Sequence, residues 1–351
     1  MRICALLLAL ATGAWAQNGP TLPDLVQLKQ DEPRAHPKLK LPAKHTVGPT
    51  IPGLTQDQGA TPQGLAYWEH EKQKWLLISC YFHKEGHPSV VVALDAGTGA
   101  MVRCLTFVEP GGKVHVKHVG GLAVSGKYLW VGSERLLYRA PLAALAAAKP
   151  VDYLQLQPQF EPHCTASTVA FHDQRVWVAE FVSLEDGIAG NPEHYLKDRN
   201  GTHKSAWAAG YALDANEDLV GLAGGKRPVP AAILSIRQKV QGMAFLDGRI
   251  ILSTSYGRTA DSTLAAYTDP LQNELTNPHA TTKVGSATVP LWFLDGQNRQ
   301  WEIDNYPPMS EGITAYGKRL GVICESGAEE YQKGGRGPLD TVIFLTPPVA
   351  K

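Results

Sequence analysis

The chain shows no excess of either charge. Its 33 basic residues balance 33 acidic ones, and only 19% of its 351 residues carry charge. A nucleic-acid binder shows a basic surplus or stripe, so that class is set aside. No stretch beyond the N-terminus is apolar for long enough to span a bilayer as a helix. C-x-x-C spacing is missing, which argues against a structural zinc site. The nucleophile elbow G-x-S-x-G, the Walker phosphate loop and the zinc motif H-E-x-x-H are missing too. "GLAGGKRPVP" has glycines before a lysine, without the phosphate-loop spacing. Against this scarcity of charge stand 34 Gly and 25 Pro. Sparse charge with many turn-formers favours many short strands over long amphipathic helices.

Residues 1–16 read as a signal peptide. Arg2 is the positive start, a short apolar run follows, and Ala14-Trp15-Ala16 fits cleavage before Gln17. The expectation is an exported protein, secreted or periplasmic, with no membrane span. Cys80, Cys104, Cys164 and Cys324 follow this segment. In an oxidising compartment an even count permits two disulfides, although Cys80 and Cys324 also read as buried free thiols. Asn200-Gly201-Thr202 is a glycan acceptor only on a eukaryotic secretory route.

One phrase recurs. Gln63-Gly64-Leu65-Ala66, Gly120-Gly121-Leu122-Ala123, Ser167-Thr168-Val169-Ala170, Gln241-Gly242-Met243-Ala244 and Glu311-Gly312-Ile313-Thr314 align, each followed by a turn and a second apolar run. Asp247-Gly248 is a strong hairpin signal among those turns. Third runs follow, such as "SVVVALDAGTG" and "TVIFLTPP". Four-stranded antiparallel units repeated radially build a β-propeller. The reading is all-β, a single propeller domain over 60–351 with five blades, and with six as the alternative because the third and fourth copies are long. Residues 17–59 then supply a closing strand and a Pro-rich strap, with "PDLVQLKQ" (23–30) as the strand. An open ring would leave an unpaired edge. "APLAALAAAKP" (140–150) reads as a short helical insertion at an edge.

In a propeller the first strand of each blade lines the central channel, so residues far apart in sequence meet at one mouth. The glycine of the phrase fits crowding of backbones at the axis. Residues before it form an inner ring of Gln63, Gly120 with His118, Ser167 with His163, Gln241 and Glu311. The ends of the second strands add Tyr81, His83, Glu134, Arg135, Glu180, Tyr256, Arg258 and Glu325. Polar groups converging on a concave mouth mark a binding site for a small polar or anionic ligand. Glu311, Glu180 and His118 are the expected catalytic residues. They are also the expected ligands of one hard divalent cation such as Ca²⁺, held through oxygen with water completing the shell. A carboxyl crowded by others would alternatively act as general acid or base. Tyr256 and Arg258 would orient an anionic substrate. Each residue also has a plainer reading. Glu311, Gln63 and Gln241 would satisfy buried backbone, the histidines would be structural, and Arg258 and Glu325 would form an inter-blade ion pair.

The phrases "TPQGLAY", "HVGGLAVSGKYLWV", "VQGMAF" and "SEGITAYGKRLGVICESGA" resemble a group of secreted bacterial β-propeller proteins over about residues 60–347. Those shared phrases name no reaction. "SEGIT" is similar to the phrase of the six-bladed lactonase and gluconolactonase group, which implies a metal-binding role for Glu311. The Gln-Gly-Leu and Glu-Gly phrases at blade starts are similar to those of plant-type, five-bladed glutaminyl cyclases. The implied functions are a metal-assisted ester or lactone hydrolase and a glutaminyl-cyclase-like acyltransferase. The other class is a non-catalytic propeller that binds a ligand or a protein partner, with Tyr81, Phe82 and Phe181 around its mouth.

Overall fold

Runs of β-branched and aromatic residues, cut by Gly, Asp and Asn, become short antiparallel strands. The computed structural model describes residues 24–32, 41, 43–55, 57–222, 227–272 and 277–348. The expected signal peptide lies outside them. Asp247 and Gly248 take φ of 48° and 68°, the doubly left-handed turn that a two-residue hairpin loop requires. Asp173 and Gln174, at 49° and 53°, make the same turn without a glycine.

The strands form five blades. The innermost strands are Ala60–His70, Val119–Val124, Thr168–His172, Val240–Leu246 and Ser310–Tyr316. They neighbour one another in ring order, and the last touches the first. The extra length of the third and fourth copies makes no sixth blade. It forms a long insertion between Arg175–Ala179 and Ala206–Ala212, and a hairpin, Ala280–Val284 with Ala287–Phe293.

Neighbouring blades exchange strands. Val151–Gln155, which leaves blade two, pairs in parallel on the outer edge of blade one. The hairpin from blade four pairs in parallel on the outer edge of blade three. In blade five, His45–Thr50 pairs with Thr341–Leu345 as the outermost strand. The ring is therefore closed by an N-terminal strand, but not by residues 23–30. Val26 and Leu28 do alternate inward and are buried. Among the described residues the segment nevertheless pairs in no ladder: Val26 N–H donates to Thr106 Oγ1 at 2.9 Å, Lys29 N–H to the Gln58 side chain at 2.5 Å, and the Lys29 carbonyl accepts from Gly53 N–H at 2.9 Å. Pro49 is tolerated in the true closing strand because an outermost strand needs ladder bonds on one side only.

Leu142–Ala147 is a short helix, as expected, but it does more than decorate an edge. Leu142 and Leu145 are buried with Trp75, Phe107 and Tyr138 between blades one and two. Each contributes about 1.5–3 kcal/mol of burial. Cys80, Cys104, Cys164 and Cys324 are buried free thiols.

Candidate functional site

The recurring phrase works through a β-bulge. In blade one the pairing steps from Pro62 opposite Cys80 to Leu65 opposite Ile78, three residues against two. The same one-residue excess occurs at Val119–Leu122, at Val240–Gly242 and at Ser310–Ile313. A bulge leaves one residue unpaired and re-aims its side chain. Gln63, Gln241 and Glu311 sit on these bulges and point into the channel mouth. Blade three, whose phrase lacks glycine, pairs without a bulge from Thr168 to His172.

Glycine is needed here for space. A Cβ at Gly64 would lie 2.6 Å from the Gly120 carbonyl oxygen, and one at Gly312 would lie 2.4 Å from the Leu65 nitrogen. Second-strand serines then fasten the bulges. Ser79 Oγ accepts from Gly64 N–H at 2.8 Å and donates to the Gly120 carbonyl at 2.7 Å, joining blade one to blade two.

Gln63, His118, Glu134, Gln241, Tyr256, Arg258, Glu311 and Glu325 line one cavity of about 430 Å³ at the mouth, together with Phe181 and Tyr331. At its floor Glu311 and Glu325 are hydrogen-bonded to each other. They are 2% and 9% exposed. Gln241 Nε2 donates to Glu311 Oε1 at 2.8 Å, and the Gln63 amide donates to Glu325. Glu325 opens the turn after strand Arg319–Cys324. Its N–H donates to the Met309 carbonyl at 2.9 Å, which ties it back to the start of the inner strand.

Burial is the main reason both carboxyls hold their protons. It raises Glu311 well above the carboxylate range, and the charge of Glu325 raises it further. Burial lifts Glu325 to about 8, against the lowering effect of its hydrogen bonds from Gln63 and Glu311. Both carboxyls are therefore pushed toward their protonated forms, and they titrate as one pair. Burial lowers His118 to about 4, so its imidazole is neutral there.

One wall of the mouth is a polar aromatic cluster. The Tyr81 ring stacks edge-on against His118 at 4.1 Å. The Tyr81 hydroxyl is 3.0 Å from His83 Nε2 and 3.1 Å from the Tyr331 hydroxyl. His83 Nε2 also lies 3.0 Å from Glu330 Oε2. Behind this wall a second cavity, about 610 Å³, is lined by Phe82, His83, Lys84, His87, Glu330 and Lys333.

Glu180, His163 and Arg135 lie outside this lining, and Arg258 has partners other than the expected one. Glu180 is 2% exposed and does not line the mouth. It accepts from Trp207 N–H at 2.8 Å and pairs with His194 Nδ1 at 2.6 Å, while the His194 ring stacks on Trp207. The backbone N–H of His163 donates to the Tyr211 hydroxyl, and burial lowers its imidazole pKa. Arg135 pairs with Glu161 at the surface. Arg258 makes no pair with Glu325. Its guanidinium donates to the Glu330 and Lys333 carbonyls at 3.1 and 3.3 Å and lies over the Tyr331 ring. Glu311 and His118 therefore share the mouth without Glu180, and among the described residues no three His, Cys, Asp or Glu side chains form a metal-holding group. Tyr331 and Met309 line the mouth without having been singled out. Tyr331 sits on the α-helical turn Glu329–Gln332; among the described residues no other blade has an α-helix between its second and third strands.

No family model and no curated protein sequence matches this chain. Solved structures are similar to it at low identity. A glutaminyl cyclase from Myxococcus xanthus is 12% identical, covering 87% of this chain and 96% of that one, with a TM-score of 0.40. A GH43_1 enzyme from Xanthomonas citri is 12% identical over 87% and 92%, with a TM-score of 0.44. BamB from Moraxella catarrhalis is 10% identical over 93% and 99%, with a TM-score of 0.33. Such likeness concerns overall build, and the chemistry is argued from this chain's own residues.

Proposed function

We propose that the mouth is an acid–base site in which the Glu311–Glu325 pair hydrolyses a small polar ester or lactone. The observation that carries this reading is the hydrogen-bonded pair of carboxyls on the cavity floor, held by neutral amides. Two carboxyls so close cannot both ionise easily, which splits their affinities for protons. The protonated member donates to the carbonyl oxygen under attack. The ionised member takes a proton from the attacking water. As the tetrahedral intermediate collapses, its hydroxyl returns the first proton to the pair while the carbonyl re-forms, and the leaving alkoxide takes the proton drawn from water, so the pair again holds one proton. The expected cation has no converging ligand group here, so no step is assigned to it.

Catalysis needs one proton on the pair. The rate rises with pH as the first proton leaves the pair, toward about pH 8, and falls again as the second leaves. A panel of esters, lactones and N-terminal glutaminyl substrates separates hydrolysis from cyclisation. Expected is turnover that chelators leave unchanged and that Glu311→Gln lowers by about 10²–10⁴-fold. Undiminished turnover in both Glu311→Gln and Glu325→Gln would sink the reading. Ligand binding without turnover would return the protein to the non-catalytic class.

A further inference from the structure

We propose that this mouth selects a cationic ligand, a small molecule bearing an ammonium group, rather than an anion. The inference rests on reading the mouth as the substrate site, but not on turnover. Three carboxyls line the cavity: Glu134, Glu311 and Glu325. Glu134 makes no ion pair among the described residues. Arg258, the lining guanidinium, is engaged by the Glu330 and Lys333 carbonyls and the Tyr331 ring. The nearby rim cations are also matched, Arg135 by Glu161 and Lys239 by Glu185 and Asp186. His118 adds no charge at neutral pH, because burial holds its pKa near 4. An entering anion would therefore meet three carboxyls and a single lining cation, Arg258, whose guanidinium is already turned toward the Glu330 and Lys333 carbonyls. An entering cation would meet those carboxyls and aromatic rings. Phe181 and Tyr256 lie 5.7 Å apart, centroid to centroid, with Lys239 Nζ 5.6 Å from the Tyr256 ring, and Tyr331 lines the same cavity. Rings of this kind attract quaternary ammonium groups through their faces.

Binding a cation beside the pair should also expel a proton. The groups acting on the pair are Tyr81, Tyr331, Cys324 and Glu330 with the amides of Gln63 and Gln241, and none carries positive charge. A bound ammonium supplies the missing charge and favours ionised Glu325. The probes are tetramethylammonium, which is charged at every pH, and pivalate, its anionic match in shape. Both are titrated calorimetrically into the full protein. Expected is tighter binding of tetramethylammonium, strengthening up to about tenfold per pH unit toward 8 as one proton is released. Glu325→Gln should flatten that dependence, and Glu134→Gln, at an exposed position, should weaken binding without disturbing the fold. Preferential binding of pivalate, failure of both probes to bind, or an ammonium affinity indifferent to pH and to both variants would overturn the proposal. Ammonium binding with no turnover on any substrate fails the hydrolase reading alone. Turnover with a preference for pivalate fails this proposal alone.

Discussion

Glu325 and Glu180 occupy matching places in two blades. Each directly follows the last residue of a second strand, Cys324 in blade five and Ala179 in blade three. Both are buried. Glu180 is met by His194 and by the Trp207 amide, and the insertion of blade three closes over it. Glu325 is met by another carboxyl and a neutral amide at the floor of a cavity. The repeat thus places an acid at the same spot twice, and the neighbours decide its work. A histidine turns one into a fastener, while a second acid leaves the other poised to exchange protons.

The comparison breaks most visibly in catalysis. Glu325→Gln should lower kcat by about 10²–10⁴-fold, whereas Glu180→Gln should leave kcat per folded molecule near that of the parent, as steady-state rates on any accepted substrate would show. Stability should show the reverse. Glu180→Ala removes one side of a buried pair and should cost about 3–5 kcal/mol in urea unfolding. His194→Gln, which keeps a donor toward Glu180, should cost about 1–3 kcal/mol in the same assay. The smallest effect has the opposite sign. The folded pKa of Glu325 is raised, so its stabilising contribution is present below the ordinary carboxylate pKa and fades as pH rises toward 8. Glu325→Gln removes that loss, and its stability at pH 8 should exceed the parent's by about 0.5–2 kcal/mol. Equal stability of variant and parent from pH 5 to pH 8 would mean that the pair does not hold its protons.

What the repeat copies, the sequence shows. Aligning five phrases finds the inner strands, the Asp247-Gly248 turn and the bulged positions of Gln63, Gln241 and Glu311. Counting along second strands finds Glu325. What has no copy stays hidden. Among the described residues Tyr331 lies on an α-helical turn particular to blade five, and His194 in an insertion particular to blade three, so no alignment points to either. Counting placed Glu180 beside Glu311 because it could not see the insertion that covers it. The closing strand was hidden for a different reason. "DLVQLKQ" alternates like a strand and buries Val26 and Leu28, but scattered bonds, mostly to side chains, hold its backbone in place of a ladder. "HTVGPT" carries a proline and yet pairs, because it lies at an edge. Period-two burial shows an extended segment without naming its partner.

The exchanged strands divide the disc mechanically. Blades five, one and two are stitched together, by His45–Thr50 on one side and Val151–Gln155 on the other. Blades three and four are stitched by the Ala280–Val284 and Ala287–Phe293 hairpin. Among the described residues the remaining two seams have no shared strand, and contacts such as Ser125 with Glu217 and Arg258 with the Glu330 carbonyl hold them. The protein is then two jaws. Both acids of the pair ride on the larger jaw, and Gln241, Phe181 and Tyr256 face them from the smaller. Any parting along the seams widens the gap between those faces, so amide exchange should be fastest there and should slow when a ligand bridges the jaws.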